Sequence, residues 1–292
     1  MTHLRTLQQK QKIFDLFEIE KKIEVMDIGA AAIAETPCYT SLLNNNLAHL
    51  TVFDGDKRQI EKLKEIYGLE NVTVFDHFLF DGKEHEVYFC SPASGMTSIF
   101  KPNVKALEFF NGFNNFGKVE RKEKILTKKL DSIKKLESPD FLKMDVQGAE
   151  LKIIQNGKKT LKNCLAFQLE VSYFPLYEKQ PTFGEIDLQM RKLGYVPHCF
   201  LAVKRWSITP TIFNNNFRVP GNQLLESDVV YVKDPIHFNL LTDEQLKKMS
   251  LLMHFCFKSV DFSTRIILEM EKRKLLEPKS HLYYLKKMNE HN

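Results

Sequence analysis

Acidic residues follow several short apolar stretches of this chain, at points where a strand would give way to a loop or a helix. Asp27 follows the stretch 23–26, Asp54 follows 49–53, and Asp145 follows the apolar residues around 141–144. In proteins that place a parallel sheet between helices, ligands bind outside the carboxyl ends of the strands. These three carboxylates are therefore candidates for one ligand site.

The first of these corners reads Asp27-Ile28-Gly29-Ala30. A glycine directly after a strand lets the backbone approach a ligand closely, and we expect Gly29 and Ala30 to do so. The GxGxxG pattern that cradles a pyrophosphate is absent, because Gly29 is the only glycine of this turn. Asp27 instead favours a ligand with a cationic or hydroxyl-bearing group, such as S-adenosylmethionine. An ordinary strand-to-loop turn would have the same sequence.

Two further acidic residues follow the next predicted strands. Asp54 ends the second strand, where a carboxylate can accept both ribose hydroxyls of an adenosine, while Asp56 is expected to cap the following helix. Asp81, before Gly82, comes a few residues after the third strand. We expect Asp81 near an adenine edge, with a simple turn into the next strand as the alternative.

The candidates for catalysis come from the later strands. Asp145 and Glu170 would share a sheet edge with Asp27. A carboxylate there could orient the amino acid part of the cofactor, act as a general base toward a hydroxyl, or help to bind a divalent cation. The sequence leaves these three roles open. His198, on the sixth predicted strand, is kept as a candidate base, whereas Gly148 and Glu150 are expected to shape and start a helix.

Alternating strands and helices must position these residues. Strands are predicted at 24–29, 49–54, 72–75, 141–145 and 164–171, and helices at 4–18, 36–46, 56–68, 149–155 and 182–193. The alternation favours a parallel sheet with right-handed crossovers. Segments 195–200 and 228–232 are predicted to pair antiparallel at one edge, and Thr242 is predicted to cap a helix.

The changes of pattern along the chain predict three parts. Residues 1–21 form an N-terminal helix, and 22–235 form the main domain, with an insert at about 83–127 that includes two strand-like stretches. Residues 236–292 form a helical C-terminal extension. This extension would pack on the main domain or supply the interface of a homo-oligomer.

Composition excludes several classes of protein. The 292 residues are 43% hydrophobic and 27% charged, as in an ordinary globular protein. A net charge of +5 is too small for a dedicated nucleic-acid-binding protein. The five cysteines are scattered without a CxxC pair, which argues against structural zinc and a disulfide framework. Because no apolar run reaches membrane-spanning length and no leader-like stretch opens the sequence, we expect a cytoplasmic protein without a transmembrane segment.

Several segments together resemble the FkbM-type S-adenosylmethionine-dependent methyltransferases. The segment FLKMDVQGAELKIIQNG resembles the family's central motif, roughly L-K-(I/M)-D-V-(E/Q)-G-(A/S)-E followed by an apolar helix and a glycine. VMDIGA and TVFDGD are similar to its first and second motifs, with Asp54 where glutamate is usual. GMTSIFKP resembles its serine-containing segment, and the resemblance covers about residues 22–234.

The resemblance implies a class I methyltransferase: a Rossmann-like α/β fold with a seven-stranded, mostly parallel sheet, an antiparallel edge and a helical extension. It implies S-adenosylmethionine as the cofactor and O-methylation of a hydroxyl on a sugar, a glycan or a small metabolite. Asp145, together with Glu170, would lie nearest the reacting centre. The alternative is a binding protein that keeps this fold without turnover. A nicotinamide dehydrogenase is disfavoured by the missing GxGxxG pattern, and a nucleic-acid substrate is disfavoured because the basic runs are interleaved with acids or helical.

Overall fold

The computed structural model describes residues 16–30, 36–56 and 72–289. Its strands are β1 (Ile23–Ile28), β2 (Ala48–Phe53), β3 (Val72–Phe75), β4 (Glu84–Phe89), β5 (Arg121–Leu126), β6 (Phe141–Met144), β7 (Ala166–Ser172), β8 (Tyr195–Trp206) and β9 (Gln223–Lys233). Its α-helices are α1 (Thr40–Asn44), α2 (Val104–Phe109), α3 (Phe113–Phe116), α4 (Glu150–Gln155), α5 (Phe183–Lys192), α6 (Asp243–Phe255), α7 (Val260–Lys272) and α8 (Ser280–Asn289). Single turns of 3₁₀ helix lie at Pro92–Ser94, Leu130–Ser132 and Pro235–Leu240.

Seven of the strands in the described residues form one sheet, in the order β3-β2-β1-β6-β7-β9-β8. β2 pairs parallel with β3, and β6 pairs parallel with β7. β9 pairs antiparallel with both β7 and β8, which gives the sheet its antiparallel edge. The predicted α/β fold is confirmed. Because the strand order reverses between β1 and β6, this is the point at which such a sheet opens a ligand crevice.

The centre of the sheet is held by strands that are apolar on both faces. β7 has one residue that is not fully buried, Glu170, and β6 has one, Lys143. Strands covered on both faces read as continuous apolar runs. Ile153 of α4 and Ile186 of α5 complete the core beside these strands, and each fully buried aliphatic side chain contributes about 1.5–3 kcal/mol. Glu170 and Lys143 are the charged residues of these two strands.

The insert forms a separate layer of strands and short helices. β4 and β5 form an antiparallel pair, with Glu84 opposite Leu126 and Phe89 opposite Arg121. The helices α2 and α3 contribute to a second apolar cluster rich in aromatic rings. Trp206, at the end of β8, donates its indole N–H to the carbonyl of Asn111, 2.8 Å away, and so fastens the insert to the β8–β9 hairpin.

The described residues form two compact units, and the sheet residues described so far lie mainly in the one that comprises 26–30, 50–56 and 72–233. The other comprises 16–25, 36–49 and 234–289 and contains the C-terminal helices. Thr242 and Gln245 form a capping box at the start of α6, with N···O distances of 2.9 and 3.2 Å. No helix in the described ranges is long and apolar enough to cross a membrane.

Three of the predicted helices differ from the structure or fall largely outside the described residues. The helix predicted from Thr36 is shorter than expected: α1 begins at Thr40, and Tyr39 stands at its N-cap position without a side-chain cap. The prediction was wrong there because Thr36-Pro37 is followed by a turn at residues 38 and 39. The helix predicted after Asp56 and most of the one predicted at 4–18 lie outside the described residues.

Candidate functional site

A cleft opens at the carboxyl ends of β1, β2, β3 and β6. Its empty volume is about 790 Å³, including space open to solvent, which is in the range of small-molecule sites. The insert contributes a wall through its loop around residues 92–99. The residues that line it include Gly29, Asp54, Asp56, Phe78, Ser98, Asp145 and Gln147.

Gly29 lines the cleft and is required by the packing of the sheet. Its φ of +80° is a left-handed conformation, and a Cβ atom at this position would lie 1.9 Å from the carbonyl oxygen of Asp145. The N–H of Gly29 donates to the carbonyl of Phe53 at 2.8 Å, and the N–H of Asp145 donates to the carbonyl of Ile28 at 3.0 Å. The glycine therefore brings the ends of β1, β2 and β6 together.

Asp54 and Asp56 both line the cleft, as does the glycine between them. The Asp54 Oδ1 accepts a hydrogen bond from the N–H of Asp56 at 2.7 Å, which fixes the turn after β2. The ring of Phe78 lies against Gly55, where a Cβ atom would come within 2.1 Å of the Phe78 Cδ2. Because only glycine fits under this ring, Gly55 positions Phe78 as an apolar wall beside the two carboxylates.

The structure places Asp27 and Ala30 apart from the lining of the cleft. Asp27 lies within β1 with its side chain 2% exposed, and its Oδ1 lies 3.6 Å from the Nζ of Lys143. Ala30 is buried. Their assignment to the cofactor stays a prediction, and the contact with Lys143 gives Asp27 a role in the packing of β1 against β6.

Asp81 and His198 also lie outside the residues that line this cleft. The Asp81 Oδ1 contacts the Nε2 of His85 at 2.8 Å and accepts a hydrogen bond from the N–H of Lys83 at 3.0 Å. Burial raises the pKa of the Asp81 carboxyl, but the hydrogen bonds from His85 and Lys83 outweigh it, so the pKa is lowered. His198 is half-buried on β8, at an irregularity in the pairing with β9.

The turn after β6 is anchored from two sides. Gln147 and Gly148 have φ values of 54° and 106°. The Ser98 hydroxyl donates to the carbonyl of Gln147 at 2.7 Å. The Glu150 Oε1 accepts hydrogen bonds from the N–H groups of Val146, at 3.0 Å, and of Gly148, at 3.4 Å. Burial raises the pKa of the Glu150 carboxyl to about 7, against the opposing effect of these hydrogen bonds. Glu150 therefore holds the turn as well as starting α4.

The side chain of Gln147 brings Asp145 and Glu170 together. Its Nε2 donates to the Asp145 Oδ1 and to the Glu170 Oε2, each at 2.8 Å. Its Oε1 accepts a hydrogen bond from the hydroxyl of Tyr177 at 2.8 Å. Two predicted site residues from different strands are thus joined through one amide.

Charged residues from the antiparallel edge surround Glu170. Lys204 lies with its Nζ 3.7 Å from the Glu170 Oε1 and 2.7 Å from the Glu226 Oε1. Asp228 stands opposite Glu170 in the pairing of β7 with β9. Burial, and then the charge of Asp145, raise the pKa of Glu170 well above its usual range, while Lys204 acts in the opposite direction. The cluster can hold a proton, accept a hydrogen bond from a hydroxyl, or face a cation.

Metal binding finds little support in this part of the molecule. Within residues 16–30, 36–56 and 72–289, no group of three or more His, Cys, Asp or Glu side chains is placed to hold a metal ion. Asp145 and Glu170 both accept hydrogen bonds from the amide of Gln147, the two carboxyl groups also interact with each other, and Glu170 contacts Lys204. The donor set suits hydroxyl groups and organic cations.

Sequence reasoning missed three residues that shape this site: Phe78, Ser98 and Gln147. Ser98 lies in a segment whose resemblance to the family had been noted, and Gln147 lies within the central motif itself. The signal for Gln147 was a polar side chain between an acidic strand end and a glycine. Its partner Glu170 could not be identified without the pairing of β6 with β7.

A family model described as the methyltransferase FkbM domain matches residues 27–197, which is more than half of the chain. Among solved structures, the chain is similar to magnesium protoporphyrin IX methyltransferase from Synechocystis PCC 6803, at 10% identity and a TM-score of 0.36, over 73% of this chain and 71% of that chain. It is also similar to a TehB-like SAM-dependent methyltransferase from Corynebacterium glutamicum, at 9% identity and a TM-score of 0.35, over 77% and 88%. No curated protein sequence matches the chain. At such low identities and TM-scores, the solved structures say nothing about its acceptor.

Proposed function

Because the chain belongs to the FkbM methyltransferase family, we propose that this S-adenosylmethionine-dependent methyltransferase methylates a hydroxyl group of a sugar, a glycan or another small metabolite. The observation that carries the proposal is Asp145, which lines the cleft and is joined through Gln147 to a second carboxylate, Glu170, that is not among the lining residues. Carboxylates accept hydrogen bonds from hydroxyl groups and can take up their protons.

The residues of the cleft fit the cofactor. Asp54 offers a carboxylate to the two ribose hydroxyls, and Phe78 offers an apolar face beside it. A loop of repeated glycines for a pyrophosphate is missing after β1, which suits a nucleoside without phosphate. When bound, S-adenosylmethionine supplies an electrophilic methyl group on a sulfonium cation. Asp145 lines the same cleft and would face that positive charge.

The two carboxylates provide a base for the proton that leaves the acceptor hydroxyl. As the acceptor oxygen forms its bond to the methyl carbon, the bond from that carbon to sulfur breaks and the hydroxyl proton must leave. Glu170, whose pKa is raised by burial and by the charge of Asp145, is a stronger base than an ordinary carboxylate and is our first candidate to take this proton. Asp145 would orient the reacting groups, so that positioning supplies a large part of the rate. His198 is the second candidate base.

The acceptor would be selected by the insert. Its loop at 92–99 borders the cleft, and its helices present aromatic rings next to the hairpin of β8 and β9. Phe109 and Phe174 stack with their ring centroids 5.3 Å apart and their planes nearly parallel. These rings are not among the residues that line the cleft, so the proposal of a sugar or a related metabolite rests on the family and on the carboxylates, which accept hydrogen bonds from hydroxyl groups.

Methyl-labelled S-adenosylmethionine tests the proposal. The protein is incubated with fractionated cell extract, and the labelled product is identified by mass spectrometry and its methyl carbon by NMR. We expect a methyl ether, and we expect Glu170→Gln to reduce labelling at least tenfold while the affinity for S-adenosylhomocysteine stays close to that of the natural chain. A methyl group on nitrogen, carbon or sulfur would refute O-methylation. Cofactor binding without any labelled product would favour the non-catalytic alternative.

A further inference from the structure

Gln147 differs from the other residues of its motif because its side chain contacts two carboxylates at once. Asp145 follows β6, and Glu170 lies on β7, and each accepts a 2.8 Å hydrogen bond from the same Nε2. We infer that Gln147 is a positioning residue, whose amide joins Asp145, which lines the cleft, to Glu170 behind it and so sets the negative charge presented to the sulfonium group of the cofactor. The inference rests on the proposed function for the placement of the cofactor.

The orientation of the amide follows from its surroundings. With Nε2 toward the carboxylates, both of its hydrogens have acceptors, and Oε1 has a donor in the hydroxyl of Tyr177. The reversed amide would point its oxygen at two carboxylates and its hydrogens at a hydroxyl. Since carboxylate oxygens accept but do not donate when ionised, the reversed orientation is strongly disfavoured.

The backbone of Gln147 is held as firmly as its side chain. The residue adopts a left-handed φ of 54°, which is unfavourable for a residue with a side chain and persists only when neighbours enforce it. Ser98 donates to its carbonyl, and Glu150 accepts the N–H groups on either side of it. The strained turn therefore aims the amide at the space between β6 and β7.

Charged groups from every neighbouring strand act on this pair. Lys204 of β8 contacts Glu170, and Glu226 and Asp228 of β9 lie beside it. Lys143 of β6 and Glu150 of α4 complete the set, together with the Tyr177 hydroxyl. Carboxylates outnumber ammonium groups in this cluster, and burial and the charge of Asp145 raise the pKa of Glu170, so the amide hydrogens of Gln147 act to favour the ionised form of Glu170.

Removing the donor has a predictable electrostatic effect. Without the amide hydrogens, the effect of the Asp145 charge on Glu170 is offset less, and Glu170 retains its proton to higher pH. The pair then presents less negative charge to the cleft near neutral pH. S-adenosylmethionine carries a sulfonium cation, whereas S-adenosylhomocysteine carries a neutral thioether in its place. The ratio of the two affinities therefore reports the charge of the pair without requiring an acceptor.

Calorimetric titration of both cofactors from pH 5.5 to 9 tests the inference. In the natural chain we expect the preference for S-adenosylmethionine to rise with pH as the pair ionises. In Gln147→Leu, which keeps the size of the side chain, we expect the midpoint of that rise to move up by about one pH unit. Gln155→Leu, the same change at an exposed position of α4, is the matched control and should leave the midpoint in place.

The titration tests two claims separately: the role of Gln147, and the placement of the carboxylates against the sulfonium. A Gln147→Leu midpoint equal to that of the natural chain overturns the role of Gln147 while leaving the proposed function standing. A flat affinity ratio in the natural chain overturns the placement of the carboxylates against the sulfonium. If Gln147→Leu fails to fold, Gln147→Met decides: it also lacks the amide hydrogens, so its midpoint should move up by about one pH unit, and an unmoved midpoint overturns the inference.

Discussion

Replacing Glu150 by glutamine should remove a pH dependence from the stability of the sheet unit. The side chain of Glu150 is 2% exposed, and its Oε1 accepts the N–H groups of Val146 and Gly148. Burial raises the pKa of this carboxyl to about 7. In an unfolded chain a glutamate has a pKa of about 4.3, so the folded state binds this proton more tightly.

The sign and the size of the effect follow from this difference. Between pH 4.3 and 7 the folded protein keeps a proton that the unfolded chain has lost, so the free energy of unfolding falls as pH rises. Below this range the group makes no difference, and above it the full cost of burying the charge is present. A shift of about 2.5 pKa units corresponds to roughly 3 kcal/mol. Glu150→Gln keeps an oxygen acceptor for both N–H groups and cannot ionise. Its free energy of unfolding should therefore not fall in this way as pH rises.

Urea unfolding followed by tryptophan fluorescence measures the effect. The sole tryptophan, Trp206, lies in the same unit as Glu150 and packs against Phe113. We expect the variant to gain about 3 kcal/mol relative to the natural chain between pH 4.5 and 8. Glu137→Gln, which removes an exposed glutamate of the same unit, is the control. A difference between Glu150→Gln and the natural chain that stays constant within about 0.5 kcal/mol across this range would refute the reasoning.

Three other substitutions give expected results. Gly29→Ala should destabilise the sheet unit by about 3 kcal/mol or more, because its Cβ would meet the carbonyl of Asp145 at 1.9 Å in a left-handed backbone; a urea midpoint equal to that of the natural chain contradicts this. Asp54→Ala should weaken S-adenosylmethionine binding about 10- to 100-fold by calorimetry, since it removes the acceptor of the ribose hydroxyls; an unchanged affinity removes Asp54 from the site. Thr242→Ala should lower helix stability by about 1 kcal/mol, measured by circular dichroism, through loss of the hydrogen bond from Gln245, while cofactor affinity stays the same.

The architecture was predictable because local signals agree with it. The alternation of strands and helices, the antiparallel edge and the helix start at Thr242 are readable from apolar periodicity and from cap residues. The helix predicted at 182–193 is α5, which Thr182 and Glu185 open with a capping box. The predicted helix start at Thr36 was wrong. A cap residue followed by proline is only a local preference, and the chain first makes a turn at residues 38 and 39.

Only those site residues that directly follow a strand could be predicted from the sequence. Asp54 and Asp145 line the cleft because they follow β2 and β6 directly. Phe78 could not be assigned, since its place depends on the space above Gly55. Lys204 could not be assigned either, because β8 continues past the predicted end at residue 200 and carries Lys204 to Glu170. Such long-range contacts have no signature in a local pattern.

The residues of the central motif have different roles. This matters at position 147, where the family pattern has either glutamate or glutamine. Asp145 lines the cleft, Gly148 allows the turn, and Glu150 holds it. The residue between them must donate to two carboxylates. Glutamine donates at every pH, whereas a glutamate there can donate only while it holds a proton. Relatives with glutamate at this place should therefore lose the bridge as pH rises through the pKa of that carboxyl, and glutamine should extend the working range of the site toward alkaline pH.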